Sequence, residues 1–136
     1  MGDKINVRKI EPGDYEFIDK WWVEQGFEPL NRDILPMDGL GGIIIEKEKP
    51  IAAGFIYLTN SNIGYVDYVI SDPNYKGKDR YKIILQLIEN CLHHAISLGC
   101  ESVFATSRSN GIIKRCKELG YNVTTKDYGI IVYNKI

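Results

Sequence analysis

Apolar and polar residues alternate at the start of the chain. Residues 5–10 (Ile-Asn-Val-Arg-Lys-Ile) have a period of two, which predicts a half-buried β-strand. Residues 11–14 then turn the chain, and Asp14 is placed to cap a helix that Gly26 ends. The apolar face predicted for this helix comprises Phe17, Ile18, Trp21 and either Trp22 or Val23.

The middle of the chain predicts a loop followed by three strands. Residues 27–42 carry two prolines, three glycines and little periodicity, so they are expected to form a long loop. Two apolar runs, at 42–46 and 51–58, flank a charged turn and predict a β-hairpin. A further strand is expected from Gly64 to Ile70.

A long amphipathic helix is predicted from Arg80 to Leu98, with Gly99 as its stop signal. Its predicted apolar stripe comprises Tyr81, Ile84, Leu85, Ile88, Cys91 or Leu92, and Ala95. A short strand at 102–106 and a helix at 111–119 ended by Gly120 come next. Residues 123–124 and 128–133 are expected to close the chain as a last hairpin.

This order of elements predicts one α/β domain spanning residues 1–136. An antiparallel meander feeds the long helix, and the strand after that helix can lie parallel to the strand before it. The expected architecture is therefore a mixed, mostly antiparallel central sheet flanked by helices.

Composition narrows the function classes. Hydrophobic residues make up 44% of the chain and charged residues 26%, which is typical of a globular domain, and the net charge is -1. Because the lysines are scattered, we expect no nucleic-acid partner. The three cysteines contain no C-x-x-C pair and predict neither a disulfide framework nor a metal site. With no apolar run of about 18 residues and no signal sequence, we expect a cytoplasmic protein without a membrane partner.

Three segments, taken in order, resemble the GNAT N-acetyltransferase superfamily over nearly the whole chain. They are Ile5–Arg8 with Gly13-Asp14, Val69–Lys78, and Lys117–Tyr121. The resemblance implies transfer of an acetyl group from acetyl-CoA to an amine of an unidentified acceptor. A narrower resemblance is to GNAT-like proteins of bacteriophages. It is carried by Trp21-Trp22, Leu35-Pro36, Gly41–Ile43 and Lys78–Arg80.

The resemblance also implies a cofactor site. Family members hold the pyrophosphate of CoA with the pattern Gln/Arg-x-x-Gly-x-Gly/Ala at a helix start, where main-chain N–H groups lack helical acceptors. Here Lys76 takes the basic position, Asp79 the first glycine and Tyr81 the second small residue, while Gly77 is kept. The implied cofactor-binding residues are Val69, Ile70 and Ser71 along the pantetheine arm, and Lys76, Gly77, Lys78, Asp79, Arg80 and Tyr81 around the pyrophosphate.

Among the positions that differ from the family pattern, Asp79 is expected to have the largest effect on cofactor binding. As the N-cap of the long helix, its carboxylate would accept the N–H donors that a phosphate needs. At 5 Å it would also repel each unit of phosphate charge by about 3 kcal/mol. Lys76, Lys78 and Arg80 offset part of this repulsion. If Tyr81 points into the core with the apolar stripe, it costs the ligand little.

The resemblance places two residues in catalytic positions. Cys116 stands where the family often has a tyrosine acid, so it is either a thiol acid or a small buried side chain. Asp67, on the strand before the loop, is either a general base or a solvent-facing residue. Cys91 and Cys100 are assigned to packing, and the two histidines at 93 and 94 lie away from the expected cleft.

Two functions stay open from the sequence. One is an N-acetyltransferase, and the other is a GNAT-like binding or interaction module that has lost turnover, because three family residues are replaced. Trp21 and Trp22 point about 100° apart, so one is expected in the core and the other partly exposed. An exposed tryptophan suits an apolar or planar acceptor, and equally a homodimer contact.

Overall fold

The computed structural model describes residues 4–36, 42–105 and 110–123. These residues contain five strands and three α-helices, with single 3-10 turns at Pro12–Asp14 and Arg32–Ile34. The elements are β1 (Asn6–Lys9), α1 (Tyr15–Glu24), β2 (Gly42–Lys47), β3 (Lys49–Leu58), β4 (Ile63–Ser71), α2 (Arg80–Ser97), β5 (Ser102–Ala105) and α3 (Asn110–Glu118).

The strands form one sheet in the order β1-β2-β3-β4-β5. Neighbours from β1 to β4 are antiparallel, whereas β5 lies parallel to β4 on the far side of the α2 connection. The predicted mixed, mostly antiparallel sheet flanked by helices is confirmed. The predicted last hairpin lies outside the described residues, except for Val123, which is in no strand.

Helix α2 covers one face of the sheet. Its buried residues are Ile83, Leu87, Ile88, Cys91 and Ala95. Gly54 in β3 allows this close approach, because a Cβ there would lie 3.0 Å from the Cys91 sulfur. Tyr81 was predicted to begin the apolar stripe of α2 but is 55% exposed, so the prediction was wrong in the first turn of the helix. Residues 83–85 are all apolar, so the sequence is compatible with more than one buried face of α2. Packing of the helix over Gly54 buries the face that contains Leu87.

Helix α1 covers the opposite face, and both of its tryptophans are buried. Trp21 is 4% exposed and Trp22 is 6% exposed, so the prediction that one would be partly exposed was wrong. The reason is that the following loop folds back over the helix, with Leu30 and Leu35 packing into the same cluster. The Tyr15 hydroxyl holds this loop by donating to the Leu30 carbonyl at 2.7 Å.

Asp14 has a different role from the predicted helix cap. Its side chain makes no capping bond to α1 within the described chain. The carboxylate instead accepts two 2.8 Å hydrogen bonds from the Arg8 guanidinium and one of 2.7 Å from the Glu11 N–H. Burial alone would raise the pKa of Asp14, but these donors outweigh burial and lower it.

The predicted helix-stop glycines and the two packing cysteines are confirmed. Gly26, Gly99 and Gly120 follow their helices with φ of +79°, +101° and +92°, the left-handed region that glycine tolerates. Cys91 and Cys100 are buried packing residues.

The hairpin turn is tighter than expected, because β2 and β3 extend until only residue 48 separates them. No helix in the described ranges is long and apolar enough to cross a membrane.

Candidate active site

The sheet opens between β4 and β5. Their paired residues run from Ile63–Ser102 to Val66–Ala105, and beyond Val66 the strand β4 has no β5 partner among the described residues. A bulge lies at this point, where the β3–β4 register shifts and Tyr68 adopts a φ of +56°. Such backbone strain in a non-glycine residue costs about 1–3 kcal/mol and is often found at functional sites. Within the described ranges, the second half of β4 therefore presents an open edge.

Strand alternation decides which main-chain groups face that edge. The Asp72 N–H donates to the Ile51 carbonyl at 2.7 Å, so the groups of residue 72 point towards β3. By alternation, Ile70 bonds its β3 partner Ala53, while residues 69 and 71 point their N–H and carbonyl groups outwards. The Ser71 carbonyl is already occupied, because it accepts a 2.9 Å hydrogen bond from the Gln25 amide.

The loop between β4 and α2 is held from both sides. The Asn74 amide donates to the Glu24 carboxylate of α1 at 2.6 Å. The Arg80 guanidinium turns back into the loop, donating to the Ser71 hydroxyl and to the Tyr75 carbonyl, both at 2.8 Å. Arg80 is thus a tether of the loop in this structure.

The Asp79 carboxylate is held away from the helix. It makes no side-chain capping bond to α2 within the described residues, which corrects the predicted N-cap. It accepts instead from the Tyr75 hydroxyl at 2.6 Å and from the Lys47 ammonium at 2.9 Å. Two donors from other parts of the chain, an ammonium and a hydroxyl, hold this carboxylate by charge-assisted hydrogen bonds. The bonds from Lys47 and Tyr75 lower the pKa of Asp79 to about 2.

Gly77 provides the space for this arrangement. A Cβ at residue 77 would overlap the Tyr75 hydroxyl and ring carbon, and would lie 2.6 Å from an Asp79 oxygen. The aromatic ring is rigid and cannot give way by a small adjustment. A glycine is therefore needed at this position for Tyr75 to reach Asp79.

Lys47 is the site residue that the sequence did not reveal. It lies at the end of β2, 32 positions before Asp79, and no local pattern links the two. Its pKa is raised, chiefly by the hydrogen bond to Asp79. A cleft of about 310 Å³ between the β2–β3 turn and the loop lies beside this pair. The side chains of Lys76, Lys78 and Tyr81 are exposed.

The two candidate catalytic residues lie on different elements. Asp67, on β4, is half-buried, and its Oδ1 accepts from the Tyr68 N–H at 2.8 Å. Cys116, on α3, is also half-buried, and burial together with the charge of Glu89 raises the pKa of its thiol. The structure records no contact that joins Asp67 to Cys116 within the described residues. His93 is exposed on α2, and His94 is half-buried.

Comparison with solved structures identifies the fold. An acetyltransferase from Trypanosoma brucei is 17% identical with a TM-score of 0.64, covering 95% of this chain and 100% of that one. Glucosamine-6-phosphate N-acetyltransferase from Arabidopsis thaliana is 18% identical with a TM-score of 0.62, covering 98% and 100%. N-acetylglutamate synthase from Neisseria gonorrhoeae, solved with coenzyme A and N-acetyl-glutamate, is 17% identical with a TM-score of 0.68, covering 92% of this chain but 30% of that one.

These likenesses are structural. No protein-family model matches the sequence, and no curated protein does. At such identities the comparison shows the fold and not the activity. The chain has the fold of the GNAT acetyltransferases.

Proposed function

We propose that this chain is an acyl-CoA-dependent N-acetyltransferase that moves an acetyl group from acetyl-CoA to an amine. The observation that carries the proposal is the position of the Asp79 carboxylate, which bonds Lys47 and Tyr75 and leaves the start of α2 without its cap. The first N–H groups of a helix have no intrahelical acceptor, so they remain donors for a pyrophosphate. The fold supports the same proposal, since one neighbour was solved with coenzyme A.

The open edge of β4 would hold the pantetheine arm. Its amide groups would pair with the outward main-chain groups of Val69 and Ser71, as an added strand pairs with a sheet edge. Binding in this register displaces the Gln25 amide from the Ser71 carbonyl. The pyrophosphate would lie on the N–H groups of residues 77–81.

Charge at the loop supports binding of an anion. The ammonium of Lys47, 2.9 Å from Asp79, offsets part of the repulsion that this carboxylate alone would exert on a phosphate. Lys76 and Lys78 are exposed on the loop and add positive charge, while Arg80 keeps the loop in shape. The substitution of the family glycine by Asp79 is thereby compensated from a different strand.

The transfer step uses groups around the open edge. The amine nitrogen attacks the thioester carbonyl, a C–N bond forms, and the C–S bond breaks. Asp67 would take the proton lost by the amine, and the Cys116 thiol would protonate the departing CoA thiolate. The Val69 N–H would face the oxyanion that forms in between. Because the pKa of Cys116 is raised, the thiol keeps its proton at neutral pH and can act as an acid.

A second candidate function is a GNAT-like binding module without turnover. Gln25 on the Ser71 carbonyl favours it, because that side chain competes with the cofactor. The binding module is also favoured by Cys116, which stands where the family often has a tyrosine acid. Full transfer activity in Cys116→Ala would show that Cys116 is not the acid. The predicted homodimer contact relied on an exposed tryptophan, but both tryptophans are buried. The bacteriophage likeness and the cytoplasmic location stay predictions.

Calorimetric titration with acetyl-CoA tests the proposal. We expect saturable binding with a Kd below about 1 mM, in the range of ordinary enzyme substrates. No heat of binding at that concentration, on folded protein at moderate salt, would rule out the enzyme. Binding without release of CoA thiol across a panel of amines would instead support the binding module.

A further inference from the structure

Four aromatic side chains form an exposed surface beside Asp67. On β4, Tyr65 lies directly opposite Tyr57 of β3 on one side and Phe104 of β5 on the other, so the three rings form a row across the sheet. Tyr68 meets Tyr57 edge to face, with ring centroids 6.0 Å apart. The Tyr65 and Phe104 centroids are 6.1 Å apart. We call these four residues the aromatic surface.

The aromatic surface begins where the cover of α1 ends. Phe55, two residues before Tyr57 on the same face of β3, is buried under α1. Tyr65, Tyr68 and Phe104 are instead 38%, 40% and 52% exposed. Adjacent exposed rings on a sheet face are costly in water and often mark a binding site.

Asp67 supplies a negative charge at the end of this surface. It pairs with Phe55, so it lies on the same face of the sheet and one pleat from Tyr65. Burial raises the pKa of Tyr57, and the charges of Tyr68 and Asp67 add to that rise. One oxygen of Asp67 accepts from the Tyr68 N–H. The other has no hydrogen-bond donor in the described part of the chain.

We propose that the acetyl acceptor is a protonated primary amine carried on a planar aromatic body, an arylalkylamine. This inference rests on the proposed function and names its substrate class. Ring faces and edges stabilise a planar aromatic group by stacked and edge-to-face contacts. The Asp67 oxygen that has no donor complements the ammonium and takes its first proton before attack. The second proton leaves the nitrogen for solvent as the amide forms, while the Cys116 thiol protonates the CoA thiolate. A phosphorylated or acidic acceptor is disfavoured, because its charge would be repelled by the same carboxylate.

The sequence suggested an exposed tryptophan as the binding site of a planar acceptor. We assign that binding to the aromatic surface instead. Trp21 and Trp22 lie in the core, and the exposed rings come from β4 and β5. The Tyr57 hydroxyl donates to the Ile34 carbonyl at 3.0 Å, so the loop after α1 borders the aromatic surface.

Steady-state transfer from acetyl-CoA tests the substrate class with tryptamine, putrescine and glucosamine 6-phosphate as acceptors. We expect tryptamine to have the highest kcat/KM. Phe104→Ala should raise its KM about fivefold or more, as loss of one aromatic contact does, with kcat nearly unchanged. The same variant should leave the KM for putrescine unchanged. Ile96→Ala removes an exposed apolar side chain from α2 and is the matched control, expected to alter neither KM.

Two further measurements separate the possible failures. If acetyl-CoA binds in calorimetry but tryptamine is no better than glucosamine 6-phosphate, the inference fails and the proposed function stands. If acetyl-CoA does not bind, an NMR titration of the CoA-free protein still tests the surface: tryptamine should shift Tyr65 and Phe104 ring signals, and no shift overturns the inference. A dimer in solution that Phe104→Ala converts to a monomer would also overturn it, because a second copy would then occupy the surface.

Discussion

The Arg8 guanidinium connects three separate parts of the chain. It lies on β1, bonds the Glu46 carboxylate of β2 at 3.3 Å, and holds the Asp14 carboxylate before α1 with two 2.8 Å bonds. Asp14 is the buried charged residue among the described ones, and its satisfaction depends on Arg8. A charge-assisted bidentate pair of this kind fixes where α1 starts relative to the sheet.

Replacing Asp14 with Asn should lower the free energy of unfolding by about 2 kcal/mol near neutral pH. The folded-state pKa of Asp14 lies below its unfolded value of about 3.9. The pair therefore stabilises the fold above that unfolded value, and this contribution is lost as pH falls through the folded pKa. Urea unfolding followed by circular dichroism at about pH 7 and about pH 3 measures it, with Asp33→Asn on the exposed loop as control. An equal difference at both pH values would contradict this account.

Asp79 and Lys47 together set the charge at the start of α2. The pair lies partly exposed, with a 2.9 Å contact, so salt screens it and its contribution to folding is small. Its effect falls instead on an anion bound nearby.

Asp79→Asn should tighten binding of acetyl-CoA about threefold to tenfold at low salt. The change removes one negative charge within reach of the pyrophosphate and frees the Lys47 ammonium, while the amide can still accept from Tyr75. Calorimetry at low and high salt measures this gain, which should shrink with salt. Glu101→Gln, at an exposed position after the far end of α2, makes the same charge change away from the loop. Unchanged or weaker binding in Asp79→Asn would mean that the phosphates lie elsewhere.

At the scale of elements, the loop before α2 has its shape from a few contacts. Tyr75 fills the space over Gly77 and reaches Asp79, and Arg80 bonds back to the Tyr75 carbonyl. The ring of Tyr75 also lies under the charges of Lys47 and Arg80, each 5.9 Å from its centroid. Tyr75 is thus the centre of the loop.

Gly77→Ala should weaken acetyl-CoA binding about tenfold or more, because the methyl group expels the Tyr75 ring and releases the Asp79 carboxylate towards the α2 N–H groups. The stability cost should stay below about 1 kcal/mol, as is usual for exposed loops. Gly13→Ala is the matched control, since a Cβ there meets no described atom within 4 Å. Calorimetry and urea unfolding measure both variants, and wild-type affinity in Gly77→Ala would contradict the proposed role of Tyr75.

Local patterns predicted the elements well, because strand alternation and helix-stop glycines act over a few residues. The ends of α2, for example, follow from Gly99 and from the charged residues before Arg80. The sequence did not predict which face of α2 is buried, nor that both tryptophans are buried. They depend on Gly54 beneath the helix and on a loop that folds over α1, which are contacts between distant parts of the chain.

The sequence predicted where the loop before α2 lies, but not how its residues are bonded. The sequence placed a loop with Gly77 and Asp79 before a helix, and that placement stands in the structure. Nothing local indicated that Lys47 would take Asp79 away from the helix, or that Tyr68 would lie in a bulge with positive φ. Whether the cofactor residues bind CoA stays a prediction.

At the scale of the whole molecule, two cores fix the open edge. One lies between α2 and the sheet and the other under α1, so β3 and β4 are packed on both faces. Among the described residues, the parallel pairing to β5 runs to Val66, next to the bulge. In that part of the chain the second half of β4 therefore has outward main-chain groups beside the start of α2, which is the arrangement that the proposed activity requires.

A crystal structure of the protein with coenzyme A tests this central claim most directly. We predict the pyrophosphate on the main-chain N–H groups of residues 77–81, the pantetheine amides on Val69 and Ser71, and Gln25 displaced, with Asp79 still bonded to Lys47. Coenzyme A bound elsewhere, or an Asp79 carboxylate turned onto the α2 N–H groups in the complex, would contradict the account.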